Sequence, residues 1–222
     1  MMAITKTQYR LLSQLPVRRG LSLLEIGEAN WAGDLDPVSV GLQRAEDGFE
    51  IAKQFYRQWF SPSRIVTVDM NGTENALRLN LNKPIQLDRC DVVINQGTAE
   101  HVFNIGQVFQ TIHDLCSPDG WMIHDVPLLG WIDHGFYCLQ PTLFFDLARV
   151  NCYEIHTMAV HEHNADIIHK FSGRNGVPDS LPFGAMLFVA FRKRFDTEFC
   201  IPLQGYYAAN LGHETRKACG DV

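Results

Sequence analysis

The chain reads as an α/β protein, a doubly wound and mostly parallel sheet with helices on both faces. Three observations point there. Short apolar or β-branched runs recur along the chain, each stopping at a polar residue or glycine. Segments with helical spacing lie between them, the alternation that builds parallel sheets. A length of 222 residues, 46% hydrophobic and 20% charged, also supplies one sizeable core without disulfides or metals.

Taken in order, Leu21-Ser22-Leu23-Leu24-Glu25-Ile26 is a buried strand stopped by Gly27. Phe49, Ala52, Lys53, Tyr56 and Phe60 mark an amphipathic helix that ends before Ser61-Pro62. Ile65-Val66-Thr67-Val68 is a β-branched strand running to Asp69, ahead of the turn-like Asn71-Gly72. Asp91-Val92-Val93-Ile94 is a third strand, leading to Asn95 and Gly97. Ile105, Val108, Phe109, Ile112 and Leu115 recur at three and four residues and give a helix one apolar face. Ser117-Pro118-Asp119-Gly120 is a turn between that helix and a strand at Trp121-Met122-Ile123-His124. Pro141 opens a helix with Leu143, Phe144, Leu147 and Val150 on its core side. Tyr153–Val160 and Ala185–Phe191 are later strands. One domain is expected over 1–195, with a lead-in at 1–19. The tail at 196–222 has weak periodicity, and Gly205-Tyr206-Tyr207 is its candidate docking point.

Composition excludes several function classes. A net charge of −6 argues against an electrostatic grip on nucleic acid or anionic lipid. The longest apolar run, Ala185–Phe191, is too short to span a bilayer. Met1–Pro16 has no continuous apolar stretch, so a cytoplasmic protein is expected. Cys90, Cys116, Cys138, Cys152, Cys200 and Cys219 contain no Cys-x-x-Cys pair, and most of them read as small buried hydrophobes rather than as a zinc or redox motif. No Gly-Lys-Ser/Thr follows a strand, and no Gly-x-Gly-x-x-Gly precedes a helix, so P-loop and dinucleotide fingerprints are absent.

In such a sheet, ligands bind beyond the carboxyl ends of the strands. The rim segments are Glu25–Trp31, Asp69–Gly72, Asn95–His101 and Asp125–Trp131. In this order they resemble a class I S-adenosylmethionine-dependent methyltransferase. The residues that carry the resemblance are Leu23-Leu24-Glu25-Ile26-Gly27-Glu28-Ala29-Asn30-Trp31, Val66-Thr67-Val68-Asp69, Cys90-Asp91-Val92-Val93-Ile94-Asn95-Gln96-Gly97 and Thr98-Ala99-Glu100-His101-Val102. The run from Ile112 through Pro118 and Gly120 to Ile123 adds the family's helix, turn and fifth strand. The segments around Asn95–Asn104 and Asp133–Tyr137 are similar to methyltransferases of which some serve glycan biosynthesis.

The resemblance implies a Rossmann-like, seven-stranded fold with S-adenosyl-L-methionine as cofactor. Asp69 would accept the ribose hydroxyls, with a turn-forming Asp as the plain alternative. Glu25, Gly27, Glu28 and Ala29 would form the loop around the methionine end, and Asn95 and Gly97 would meet the amino-acid end from the next strand. Asp88 is a weaker candidate for adenine, and Asp125 for the acceptor. His101 and His134 are the candidate catalytic bases toward an acceptor hydroxyl. The expected acceptor is a small molecule or glycan, methylated at oxygen. Trp31 and Trp131 fall on the rim, where they would stack on a flat ligand, while Trp121 belongs to the core. No metal is expected: His156, His161, His163 and His169 with Glu162 lack a compact third ligand. The departure from the family is Gly27-Glu28-Ala29, where Gly-x-Gly is usual, with Trp31 where a third glycine often sits. That departure motivates the alternative of a catalytically degenerate fold kept for binding or scaffolding.

Overall fold

Each run selected by hydrophobicity forms an element of the expected type. The computed structural model describes residues 3–162, 165, 168–171, 173–178 and 180–210. In chain order the elements are β1 (Ala3–Ile4), α1 (Lys6–Ser13), β2 (Ser22–Ile26), β3 (Asn30–Trp31), α2 (Gly48–Phe60), β4 (Arg64–Val68), β5 (Cys90–Gln96), α3 (Ile105–Leu115), β6 (Cys116–Leu129), α4 (Pro141–Val150), β7 (Tyr153–Glu162), β8 (Ile168–Lys170), β9 (Ala185–Lys193) and α5 (Gly205–Asn210). Local chemistry sets the helix ends. The Asp47 side chain caps α2 by accepting from Phe49 N–H, and Ser61 closes it in the left-handed region at φ 46°. Pro141 starts α4.

The main sheet has seven strands in the order β4-β2-β5-β6-β9-β7-β8. The first four are parallel, and β9 runs antiparallel between β6 and β7. Strand β7 therefore points with the parallel group, and only β9 and β8 oppose it. Side chains alternate between two apolar layers. Leu23, Val92, Ile94, Trp121 and Ile123 face α1 and α2, whereas Leu24, Val93, Met122 and Val126 face α3 and α4. Phe55, Phe60 and Phe144 are fully buried in these layers, each contributing about 1.5–3 kcal/mol. After β2 the chain crosses to β4 on one side, then back over to β5 on the other. The switch point thus lies at the ends of β2 and β5.

The structure departs from the sequence reading in several places. Among the described cysteines only Cys90 and Cys116 are buried, whereas Cys138 and Cys152 lie in exposed positions and Cys200 is half-buried. The turn at Ser117–Gly120 lies within β6 as a bulge: Cys90 pairs with Cys116, Val92 with Trp121, and Asp119 takes φ 56°. The lead-in contains α1, held by a reciprocal capping box between Thr5 and Gln8, and β1 pairs in parallel with β3. Trp31 is not on the rim: it packs against Tyr9 and Phe55, and its indole N–H donates to the Leu35 carbonyl. Asp125 does not face an acceptor either. It is buried inside β6, accepting from Gln8 Nε2 at 2.6 Å and pairing with His161 Nε2 at 2.9 Å. Asp88 is exposed and pairs with Arg64, away from the cavity described below.

His169 pairs with Val160 across β7 and β8. His156 is exposed and edge-on to Trp121, His161 is tied to Asp125, and His163 lies outside the described residues. Residues 196–205 lie along the body: Thr197 O accepts from His113, Cys200 N–H donates to Asn151, and Gly205 N–H donates to Asp146. Tyr206 and Tyr207 are exposed, and 211–222 and Cys219 lie outside the described residues. Among the described residues, no helix is long and apolar enough to cross a membrane.

Candidate active site

A cavity of about 510 Å³ opens at the switch point, lined by Glu28 after β2, Asp69–Gly72 after β4, Gly97, Thr98 and His101 after β5, and Asn80–Asn82 from the preceding loop. Phe49, Met70, Leu81 and Val102 add apolar wall. Its geometry starts at Gly27, whose φ of 89° turns the chain so that its N–H donates to Val68 O at 2.7 Å.

Two carboxylates then brace the loops against each other. Asp69 Oδ2 accepts from Glu28 N–H and Asp69 Oδ1 from Asn71 N–H, both at 2.8 Å. Glu28 in turn accepts from Thr73 N–H at 2.7 Å and from the Thr73 hydroxyl at 3.0 Å. Gly72 passes between them: a Cβ there meets Asp69 Cβ at 2.9 Å and Glu28 Oε2 at 3.0 Å. Each Asp69 oxygen uses one lone pair in this brace and keeps one for a ligand.

Glu25, Gly27, Ala29 and Asn95 do not line the cavity; they hold its wall from behind. Glu25 is buried and ion-paired with Lys53. It also accepts from the Thr67 hydroxyl at 2.7 Å and, weakly, from Ala29 N–H at 3.4 Å. Lys53 reaches Glu28 Oε1 as well, at 4.0 Å, so one ammonium serves both acids. Burial, then the charge of Glu25, raises the Tyr56 phenol well above its ordinary pKa. Asn95 Oδ1 accepts from Ala99 N–H, and Asn95 Nδ2 meets His124 Nδ1 at 3.3 Å, fixing the turn that carries Gly97, Glu100 and His101.

His101 lines the cavity, and the loop after β6 brings His134 to it, with ring centroids 4.8 Å apart. Trp131 stays beside this pair, its ring 4.9 Å from His134. Burial, followed by the charge of His134, lowers the His101 pKa and favours neutral imidazole. Glu100 lies beneath both rings, fully buried, and burial pushes its carboxyl up to about 8.

Sequence reasoning missed Lys53 as the counter-ion, Thr73 as the partner of Glu28, and Asn80–Asn82 as wall. Lys53 on the core-facing side of an amphipathic helix was the one readable signal. The others sit in aperiodic loops and carry none.

The fold, with its cavity at this switch point, is similar to those of solved S-adenosylmethionine-dependent methyltransferases. The N-methyltransferase NodS of Bradyrhizobium japonicum WM9, solved with S-adenosyl-L-homocysteine, superposes with a TM-score of 0.53 at 10% identity over 85% of each chain. A putative S-adenosylmethionine-dependent methyltransferase from Listeria monocytogenes gives 0.52 at 10% identity, over 85% of this chain and 96% of that one. An S-adenosylmethionine-dependent methyltransferase from Mesorhizobium loti gives 0.50 at 14% identity, over 83% and 95%. No family model matches the chain, and no curated protein matches it in sequence.

Proposed function

We propose that the protein methylates an oxygen atom of a small molecule or glycan, with S-adenosylmethionine as donor. The observation that carries this reading is the open cavity at the switch point, with a strand-end carboxylate on one wall and two imidazoles at one edge. The residues present fit the donor. Asp69 offers free lone pairs to a diol, Met70, Leu81 and Val102 offer apolar surface to a flat heterocycle, and Gly97 at φ 65° offers close backbone approach. Glu25, Gly27, Ala29 and Asn95 shape the loops that present these groups. Bound there, the sulfonium supplies an electrophilic methyl group.

The protein's own part is alignment, which contributes about 7–11 kcal/mol in favourable cases. His101 and His134 serve the acceptor side, where a hydroxyl has a proton to lose and an imidazole nitrogen can accept it. Phe103 and Phe136, edge to face at 5.9 Å and largely exposed, flank the histidines as apolar surface for a ring-bearing acceptor. The degenerate-scaffold reading depended on Ala29 and Trp31 crowding the cofactor loop. With Ala29 behind the wall and Trp31 in the core, no observation favours it.

Thermal-shift titration with S-adenosylmethionine and S-adenosylhomocysteine tests the reading, with NAD and UDP-sugars as controls. Saturation at about 100 times the dissociation constant stabilises by about 2.7 kcal/mol, or roughly 5–10 °C here. A shift with the adenosyl ligands alone is expected. No shift, or an equal shift with the controls, rejects the reading.

A further inference from the structure

We infer that Glu100, His101 and His134 form a binding site for a divalent transition-metal ion at the acceptor edge of the cavity. One ligand atom from each residue lies within 4.8 Å of the others, and Glu100 Oε1 is 3.9 Å from Nε2 of both histidines. Two ligands on one tetrahedral zinc ion, each at about 2.0–2.2 Å, stand about 3.3–3.6 Å apart. Small rotations of the two partly exposed imidazoles bring the set to that geometry.

Glu100 gives the independent reason. Its side chain is 1% exposed, and among the described residues neither carboxylate oxygen has a hydrogen-bond partner on another residue. A buried polar group without a partner is costly, and a buried charge more so. Oε1 lies at the edge where the two imidazoles converge, and a cation there meets the unmet demand.

The backbone is built to hold His134 in place. Phe136 N–H donates to Glu100 O at 2.8 Å, and the Tyr137 hydroxyl donates to Phe103 O at 2.7 Å. Gly135 allows the approach, because a Cβ there meets Glu100 O at 3.0 Å and His101 Nδ1 at 3.1 Å. Two imidazoles and one carboxylate suit zinc, iron or manganese, and they leave coordination positions open.

The ion's role, though not its binding, rests on the function proposed above. An acceptor hydroxyl on an open position becomes more acidic and is held beside the cavity. With the ion bound, its proton passes to solvent and the imidazoles act as ligands.

The test uses the full-length protein, stripped with a chelator and titrated with zinc chloride by calorimetry, and with cobalt(II) by visible absorption. One equivalent of zinc per chain and ligand-field bands from cobalt are expected. Glu100→Gln, which keeps the shape of the buried side chain, and His134→Ala, in an exposed loop, should each weaken zinc binding by about tenfold or more. His156→Ala should not. Circular dichroism melts confirm that the variants fold. Absence of stoichiometric binding, or affinity unchanged in both Glu100→Gln and His134→Ala, overturns the site. S-adenosylhomocysteine titration of the same preparations separates the two ideas: cofactor binding without zinc removes only the metal, and zinc binding without cofactor removes only the methyltransferase reading.

Discussion

Acid should loosen this fold through His124. The ring is 2% exposed and packs among Phe109, Phe144 and Phe191, with centroids 5.5, 5.4 and 5.9 Å away. Burial lowers its pKa from 6.5 to about 3. The native state therefore keeps His124 neutral while the unfolded chain takes up a proton below about pH 6.5. Stability is full above that value and falls as pH drops. The loss between pH 7 and pH 5 is about 2 kcal/mol, with a ceiling of about 5 kcal/mol near pH 3. His113, whose pKa burial also lowers, acts in the same sense. His161 acts oppositely: burial lowers its pKa, but the charge and hydrogen bond of Asp125 raise it overall, so its contribution fades as pH rises. Urea denaturation of the wild type and His124→Phe at pH 7, 6 and 5 isolates the one ring. Losing the Asn95 contact lowers both neutral and acid values for the variant, leaving the slope to report titration. The wild type should lose about 2 kcal/mol more than His124→Phe over this range. Parallel profiles would refute the reasoning.

Four substitutions test the site and its supports. Asp69→Asn should weaken S-adenosylhomocysteine binding roughly 10- to 100-fold in calorimetry, the worth of hydrogen bonds to a charged acceptor; unchanged affinity removes Asp69 from the site. Trp31→Phe loses the 2.8 Å bond to Leu35 O and should cost about 1–2 kcal/mol in urea. Its cofactor affinity should stay the same, and a large loss would return Trp31 to the rim. Gly72→Ala forces the new methyl against Asp69 and Glu28, costing about 1–3 kcal/mol and weakening the cofactor; a neutral result contradicts the tight brace. Lys53→Met leaves Glu25 buried without its cation and should destabilise by about 3–5 kcal/mol, measured in urea, whereas a change near zero would show Glu25 compensated elsewhere.

What the sequence disclosed followed the reach of periodicity. Leu23–Ile26, Ile65–Val68 and Asp91–Ile94 are largely covered by the two apolar layers and so read as apolar runs, and their last residues pointed to Glu28, Asp69 and Gly97 on the cavity wall. Helix α1 is short and has no long apolar stripe, yet Thr5-Lys6-Thr7-Gln8 carries the capping-box spacing that identifies it. Trp31 was misplaced because its position followed Gly27 in the motif, while its environment depends on β1 from the start of the chain. Asp125 was misplaced for a related reason: its partners, Gln8 and His161, are distant in sequence, and no local pattern announces a buried ion pair. His134 stood out by the aromatic company of its loop, but only the folded backbone brings it to His101 and Glu100.

The position of β9 has a consequence for biosynthesis. This strand, the last of the sheet to leave the ribosome, is the one that joins β6 to β7. Until residue 193 has emerged, β6 and β7 each present an unpaired apolar edge, the condition under which nascent chains pair wrongly or with each other. The parallel half can assemble early from β2, β4, β5 and β6, but closure waits for β9. A stop codon before Ala185 would therefore remove more than a strand: it would leave two sheets with sticky margins, and such products belong to the quality-control machinery of the cell.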